Sequence, residues 1–152
     1  MNKRFALLFF FVCLWTAASA LAFTDLKGDI TTTEKNVYHA DSFRNLRYSF
    51  HCYYDDMERY LPIEDITRIE HTGSKNLGAS SLFTLKPSVE KVRVSMKNGQ
   101  TIEAFMQPGY KAFQELVEGS EGKLYFTYHD TLTGKMQEMG LHFDKIKALD
   151  LR

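Results

Sequence analysis

Cysteine is scarce in this sequence: only Cys13 and Cys52 occur among 152 residues. Cys13 falls in an apolar amino-terminal stretch that we interpret below as a cleaved signal peptide, so Cys52 would be the one cysteine of the mature chain. A single cysteine excludes an intramolecular disulfide and a cysteine-ligated metal cluster. Two alternatives remain for Cys52: burial in the core, or a disulfide to another chain.

An excess of charge of one sign is also missing. The chain has 19 Lys and Arg residues against 19 Asp and Glu residues, a formal net charge of +0 at pH 7. Nucleic-acid binding needs clustered positive charge against phosphates, and membrane-surface binding needs a polybasic segment, so we expect neither. The balance suits an uncharged or mixed-charge partner.

Sequence motifs of catalytic sites are lacking. His39, Asp41 and Ser42 occur together in "YHADSF". Triads, however, are assembled by the fold rather than by adjacency, and no G-x-S-x-G nucleophile elbow surrounds Ser42. We therefore expect no catalytic residues here, and we expect Asp41-Ser42 to begin a turn or to cap a helical turn.

Metal-binding motifs are lacking as well, because neither H-x-x-x-H nor H-E-x-x-H occurs. A zinc site needs such groups to converge. The candidate ligands are instead scattered along the chain: His39, His51, His129, His142, Asp55, Asp56 and Asp130. Asp55-Asp56 stands where a hairpin turn is expected. We expect no metal site and no cofactor.

The amino terminus has the features of a secretory signal peptide. Lys3 and Arg4 precede the apolar stretch "FALLFFFVCLW". The small residues of "TAASALA" then offer cleavage sites after Ala20 or Ala22. We predict a signal peptide at residues 1–22.

The remaining residues, 23–152, have the length of one domain. We predict a single β-rich domain without a membrane span, exported to the periplasm or, alternatively, to the extracellular medium. The competing interpretation keeps the amino terminus as an uncleaved anchor, because residues 5–23 carry no charge and are just long enough to span a bilayer.

Two segments alternate between apolar and polar residues with the period of a strand. In "YSFHCYYDD" the inward-facing residues are Tyr48, Phe50, Cys52 and Tyr54. In "LYFTYHD" the residues that take the places of the first three are Leu124, Phe126 and Tyr128. The outward-facing residues of the two segments are Ser49, His51, Tyr53, Tyr125, Thr127 and His129. We predict two half-buried strands, with Cys52 buried.

A second pattern also occurs twice, as "LPIEDITRIE" at residues 61–70 and "LHFDKIKALD" at residues 141–150. The first copy fits a helix that begins at Pro62, or a strand, a tight turn at "EDI" and another strand. The second copy has no proline and alternates Leu149 and Leu151. We therefore predict strand–turn–strand for both copies.

These likenesses indicate a degenerate duplication. We assign the pseudo-repeats to about residues 23–72 and 88–152, and an exposed linker to residues 73–87, where "HTGSKNLGASS" is rich in Gly, Ser and Asn. A single unit of this size buries little surface, so we expect both units to share one core.

The clearest hairpin is "VRVSMKNGQTIEAFM". A two-residue loop at Asn98-Gly99 would place Val94 opposite Glu103 and mix the two faces. A three-residue loop that ends with a left-handed Gly99 places Val94 opposite Ile102 and keeps one face apolar, so we predict the longer loop.

At most one short helix is expected. "GYKAFQELVEGSEG" fits a helix at Lys111–Val117 that turns Phe113 and Leu116 inward and precedes Gly119.

The residues from Glu90 onward have a pattern similar to five-stranded small barrels of the SH3 or Sm type. The similarity rests on the hairpin "VRVSMKNGQTIEAF" and the closing "FDKIKALDL". It includes no binding motif, so it implies a fold and no function. The predicted fold class is mainly β: a small antiparallel barrel or sandwich built from two degenerate strand-rich repeats.

The outward faces of the two alternating strands form the candidate site. Its residues are His51, Tyr53, Tyr125 and His129, whose rings can stack on a sugar or dock a peptide. The alternative is an ordinary wet sheet face that carries β-favouring residues. We predict a non-catalytic binding or envelope-accessory module for a protein, a peptide or an envelope glycan. The alternative function is a small exported hydrolase with a dispersed active site.

Overall fold

The computed structural model describes residues 26–76 and 88–152. The predicted signal peptide and residues 77–87 of the predicted linker lie outside the described residues. The described chain is mainly β, its sheets are antiparallel and open, and it contains no α-helix. The predicted fold class is confirmed at this level.

Eleven strands occur in the described residues. In chain order they are β1 (Gly28–Thr32), β2 (Val37–Ala40), β3 (Ser42–Phe43), β4 (Ser49–Tyr54), β5 (Met57–Pro62), β6 (Ile66–Asn76), β7 (Ser88–Met96), β8 (Thr101–Phe105), β9 (Lys123–His129), β10 (Met136–His142) and β11 (Ile146–Leu151). Single turns of 3₁₀ helix lie at Ile63–Asp65, Gln114–Leu116 and Phe143–Lys145.

Eight strands form one sheet in the order β2-β1-β11-β6-β7-β8-β4-β5, and three form a second sheet in the order β10-β9-β3. Strand β2 also contacts β9, which places the smaller sheet beside the first edge of the larger one. Both halves of the chain contribute to one cluster of buried residues. Its largest aromatic side chains are Phe43, Phe50, Phe113 and Phe126. Burying each contributes about 1.5–3 kcal/mol.

Cys52 lies in this core and is fully buried, as predicted. Burial disfavours the charged thiolate. It therefore raises the pKa of the Cys52 thiol from its ordinary value of 9.0 to about 11.

The local predictions for the repeated pattern and the hairpin are confirmed. In both copies of the pattern, a strand leads into a 3₁₀ turn and a second strand follows at once. In the hairpin, Val94 pairs with Ile102. Gly99 has a φ of 86°, the left-handed conformation that the three-residue loop requires.

The small-barrel prediction for the residues from Glu90 onward is wrong in its pairing. Strand β7 pairs with β6, and β8 pairs with β4, so this hairpin joins strands of the first half. Reciprocally, β1 pairs with β11 and β2 contacts β9 of the second half. The physical reason is that β7 follows β6 along the chain, and consecutive strands usually pair. The strands thus form two five-stranded sets. One is β4–β8, whose β7–β8 hairpin comes from the second half, and the other is β1, β2, β9, β10 and β11, whose β1–β2 hairpin comes from the first half.

The two five-stranded sets share individual backbone contacts. Ile63 N donates to Tyr48 O in the first set, as Phe143 N does to Gly122 O in the second, both at 2.9 Å. Lys97 N donates to Asp65 O at 2.8 Å, and the matching bond runs from Thr33 N to Lys145 O at 2.9 Å. Met96 N donates to Gln100 O, as Thr32 N does to Asn36 O, both at 2.8 Å. The two sets therefore close their turns in the same way.

The correspondence predicted between β4 and β9 is shifted by two residues. Phe50 pairs with Leu61, and Leu124 pairs with Leu141, so Leu124 corresponds to Phe50 rather than to Tyr48. The loop of the second hairpin is longer than that of the first, which shifts the alignment of β9 with β4 along the sequence.

The prediction that Tyr48 faces inward is wrong. Tyr48 precedes β4 and is 50% exposed. Its carbonyl accepts a hydrogen bond from the backbone N–H of Ile63, which ties the chain to the 3₁₀ turn before the strand begins. The alternation therefore starts one residue later.

The predicted helix at Lys111–Val117 is wrong in extent, because only Gln114–Leu116 forms a single 3₁₀ turn. The backbone N–H of Arg47 donates to Leu116 O at 2.8 Å, so a neighbouring segment satisfies a carbonyl that a longer helix would use. Phe113 and Leu116 are buried, as predicted.

The predicted linker begins too early. Strand β6 continues to Asn76, which pairs with Ser88 of β7. A register shift between His71 and Gly73 marks a bulge that lets the strand continue through Gly-containing sequence.

Candidate functional site on the β4–β5 hairpin

The structure places the four predicted site residues in two groups. His51 and Tyr53 lie on β4 in the eight-stranded sheet, whereas Tyr125 and His129 lie on β9 in the three-stranded sheet. The rings of His51 and Tyr53 approach each other, with 5.6 Å between their centroids. Tyr125 instead packs under Arg44, whose guanidinium carbon lies 4.5 Å from the ring centroid. The predicted surface is therefore divided between two sheets.

A stacked pair of rings forms the centre of the first group. Tyr60 on β5 pairs directly with His51. Their rings stack with 4.6 Å between centroids and 7° between planes. Tyr60 is 61% exposed, while the side chain of His51 is only 14% exposed. We name His51, Tyr53 and Tyr60 the aromatic face.

Two carboxylates hold the imidazole of His51 between them. Glu58 Oε1 lies 2.7 Å from Nε2, and Glu115 Oε2 lies 3.8 Å from Nδ1. Nε2 is buried, and its contact with Glu58 lacks the alignment of a hydrogen bond. The hydroxyl of Tyr60 donates to Glu58 at 3.1 Å, which raises the pKa of Tyr60 above its ordinary value. Neighbouring side chains thus fix the ring pair.

Sequence reasoning missed Tyr60, although a signal for it existed. Asp55 and Asp56 form the expected hairpin turn, and both have positive φ (51° and 58°), as a tight two-residue turn requires. That turn sets the register in which His51 faces Tyr60. The turn prediction therefore contained the information that identifies Tyr60.

Glu115 joins the aromatic face to a cleft of about 180 Å³. The lining residues include Arg47, Tyr110, Gln114, Glu115, Ser120 and Phe143. Arg47 Nη1 donates to Glu115 Oε2 at 3.4 Å, and the Glu115 side chain is 12% exposed. We name this the Glu115 cleft. No sequence pattern indicates Glu115, because the connection from β8 to β9 brings it here through tertiary packing.

The second hairpin fills the corresponding positions differently. His51 and Tyr60 correspond to Tyr125 and Gly140, which are also paired. A Cβ on Gly140 would lie 2.7 Å from the ring of Tyr125, so this ring rests on bare glycine backbone. The Tyr125 hydroxyl donates to Glu121, which raises the pKa of Tyr125.

The residues of "YHADSF" have separate partners. His39 Nδ1 lies 2.7 Å from Asp29 Oδ1. Ser42 Oγ lies 2.6 Å from Thr127 Oγ1. Ser42 begins the short strand β3 rather than a turn, because its neighbour Phe43 pairs with β9 and is buried in the core.

The candidate metal ligands are also engaged locally. His142 Nδ1 lies 2.8 Å from Asp144 Oδ1. Asp130 accepts hydrogen bonds from Thr133 Oγ1 at 2.8 Å and from Leu132 N at 2.9 Å, which lower the pKa of Asp130. Within the part of the chain that the structure describes, no group of three or more His, Cys, Asp or Glu side chains is arranged to hold a metal ion.

A second cleft, of about 170 Å³, shares Phe143 with the first. Its lining residues include Thr33, His71, Glu90, Lys111, Phe143 and Asp144. His71 Nε2 contacts Glu90 Oε2, and Lys111 Nζ lies 3.4 Å from Glu90 Oε1. Sequence reasoning missed His71 because it begins the stretch "HTGSKNLGASS", whose Gly, Ser and Asn residues were interpreted as irregular. We name this the His71 cleft.

Comparison with known proteins does not assign these clefts. No protein-family model and no curated protein matches the chain. Among the described residues, no helix has both the length and the apolar character needed to cross a membrane. Function is therefore inferred from the geometry of the sites.

Proposed function

We propose that the protein is an exported, non-catalytic binding or envelope-accessory module that holds its ligand on the aromatic face and in the Glu115 cleft. The signal-peptide features of residues 1–22 support export to the periplasm or the extracellular medium. The balanced charge supports an uncharged or mixed-charge partner: a protein, a peptide or an envelope glycan.

The observation that carries the proposal is a difference between the two hairpins. Both pair in the same register. Where the first hairpin has Tyr53 and Tyr60, the second has Thr127 and Gly140. A hairpin of this design therefore forms without the two tyrosines, so packing does not explain them. Exposed aromatic residues beside a cleft are typical of binding surfaces.

The aromatic face is also ordered in advance of binding. His51 is held between Glu58 and Glu115, and Glu115 is held in turn by Arg47. A ligand that binds side chains already fixed in place loses less conformational entropy than one that must order them. This rigidity supports a binding role for the face.

A duplicated scaffold accounts for the two hairpins. The matching hydrogen bonds of the two five-stranded sets support duplication, as does the strand–3₁₀–strand pattern at the end of each. In a duplicated fold, one copy can maintain the shared core while the other acquires a binding surface. We assign the binding role to the β4–β5 hairpin.

The test is capture of partners by the mature protein from an envelope extract, with the partners identified by mass. Replacing Tyr53 and Tyr60 by Ser removes both rings and should abolish capture, with the melting temperature little changed because both face outward. Met57→Ser is the matched control: Met57 is 55% exposed on the same strand but on the opposite face. Undiminished capture by the double variant would contradict the proposal.

A small exported hydrolase is the second candidate, and the His71 cleft is the observation that favours it. A carboxylate that orients an imidazole is a common arrangement for a general base, and Glu90 contacts His71 in this way. The test is hydrolysis of ester, peptide, phosphoester and glycoside substrates by the native protein and by His71→Gln. Activity lost in His71→Gln would establish this candidate, and inactivity of the native protein would eliminate it.

A further inference from the structure

Resting on the binding function proposed above, we infer that the ligand is an uncharged oligosaccharide, with one sugar ring stacked on Tyr60 and a neighbouring ring in the Glu115 cleft. The shape of the aromatic face, the polar groups of the cleft, its size and its charge each favour this class of ligand.

Tyr60 presents one face of its ring to solvent. The imidazole of His51 covers the other face, nearly parallel at 7° and 4.6 Å away. The C–H groups on one side of a pyranose ring form an apolar surface that packs on an exposed aromatic ring. The ring of Tyr53, tilted by 50° relative to His51 with 5.6 Å between centroids, adds a third ring beside the stacked pair.

The Glu115 cleft supplies donors and acceptors side by side. Arg47 provides guanidinium N–H groups and Glu115 provides carboxylate oxygens, while Gln114 provides both kinds. Neighbouring hydroxyls of a sugar each donate and accept a hydrogen bond. Planar charged groups held next to each other match such pairs of hydroxyls with strong hydrogen bonds.

The size of the cleft fits one ring rather than a whole ligand. Its volume of about 180 Å³ lies below the roughly 300–1,000 Å³ of sites that enclose a drug-sized molecule. Glu115 lines the cleft and also contacts His51, whose ring stacks on Tyr60, so the cleft and the aromatic face are neighbouring parts of one surface. An oligosaccharide, whose sugar rings are joined by single glycosidic linkages, can place one ring in the cleft and the next on the aromatic face.

The charges of the site disfavour an anionic ligand. Arg47 is paired with Glu115, and Glu58 adds a further negative charge beside His51. A polyanion would need an excess of positive side chains at this surface. An uncharged ligand does not need such an excess of positive charge.

A peptide that binds by strand addition is the competing ligand, and the sequence of β5 disfavours it. Strand β5 is the outer strand of its sheet, where such a peptide would pair. This strand carries Glu58 and Arg59 and ends at Pro62. Charges and proline are the features by which natural sheets protect a free edge against further pairing.

The experiment is calorimetric titration of the mature protein with two neutral tetrasaccharides, one of β-1,4-linked glucose and one of β-1,4-linked N-acetylglucosamine. We expect saturable binding of at least one of them, weakened about tenfold or more by Tyr60→Ala. Glu115→Gln should also weaken binding. Tyr60→Phe, which keeps the ring but loses the hydrogen bond to Glu58, should weaken binding less than Tyr60→Ala does. Met57→Ala, on the opposite face, should bind as the native protein does.

The outcomes separate the ligand class from the binding function. If neither tetrasaccharide binds but capture from envelope extract still depends on Tyr60, the oligosaccharide assignment is wrong and the binding function stands. If neither tetrasaccharide binds and capture is independent of Tyr60, both are wrong. Tetrasaccharide binding that survives Tyr60→Ala and Glu115→Gln overturns the site. A melting curve for each variant identifies any loss due to unfolding, and if Tyr60→Ala unfolds, Glu115→Gln decides.

Discussion

Ile69 and Leu149 lie opposite each other where β6 pairs with β11, and both are fully buried. They occupy the same place in "LPIEDITRIE" and "LHFDKIKALD". An antiparallel pair in which corresponding residues meet has an approximate two-fold axis between them, as in a symmetric dimer interface. The two five-stranded sets are therefore joined at the buried centre of this strand pair.

We expect Ile66→Asp and Ile146→Asp to have similarly large effects, because each residue begins the strand after its 3₁₀ turn and each is buried. An unpaired carboxylate in the core should lower the free energy of unfolding by roughly 3–5 kcal/mol. Chemical denaturation measures this loss. Val37→Asp, on an exposed edge strand, is the control and should change stability little. A small effect of either core substitution would argue against the shared core.

Removal of residues 141–152 should unfold the whole chain rather than one half. The deletion takes away β11, which lies between β1 and β6 in the eight-stranded sheet. Circular dichroism and a thermal melt of the truncated protein provide the measurement. A cooperative melt like that of the full chain would show that the two sets of strands fold independently.

Cys52 should react slowly with a thiol reagent in the native protein, because its side chain is fully buried and its pKa is raised. The protein should migrate as the same species with and without reductant. Labelling in denaturant provides the reference rate. A reductant-sensitive dimer, or native labelling as fast as in denaturant, would contradict the burial.

The same thiol should make stability depend on alkaline pH. The folded state holds the proton of Cys52 more tightly than the unfolded state, so this contribution is complete below about pH 9 and is lost as pH rises through about 11. The loss should reach roughly 2–3 kcal/mol. Denaturation across this range should show a steeper decline for the native protein than for Cys52→Ala. Equal slopes would rule out the linkage.

Gly140→Ala should destabilise the second hairpin, because the added methyl group would meet the ring of Tyr125. We expect a cost of roughly 1–3 kcal/mol. The double variant Tyr125→Ala/Gly140→Ala removes the obstacle, so the two substitutions should be strongly non-additive in a double-mutant cycle. Additive losses would mean that the added methyl group does not act through the ring of Tyr125.

Local features of this fold could be predicted from the sequence because neighbouring residues determine them. The alternation around Cys52 identified a buried strand face, and Gly99 identified a three-residue loop. Two of the three residues of the aromatic face, His51 and Tyr53, followed from the same alternation. Tyr60 could have been identified from the register that the turn at Asp55-Asp56 sets.

The remaining features depend on contacts between distant residues. Nothing in "VRVSMKNGQTIEAFM" indicates that β8 pairs with β4 of the first half, because apolar strands of similar length offer equivalent partners. Glu115 reaches His51 only after the connection from β8 to β9 has packed against the sheet. The division of the predicted site between two sheets has the same origin, since alternation assigns a residue to a face but not to a sheet.

Lys27 and Arg152 exchange backbone hydrogen bonds, from Lys27 N to Arg152 O at 3.3 Å and from Arg152 N to Lys27 O at 2.8 Å. These contacts extend the pairing of β1 with β11. A ribosome releases the amino end first. Strand β1 must therefore wait for residues 146–151 to be synthesised before it gains its second neighbour, and the eight-stranded sheet cannot be completed earlier.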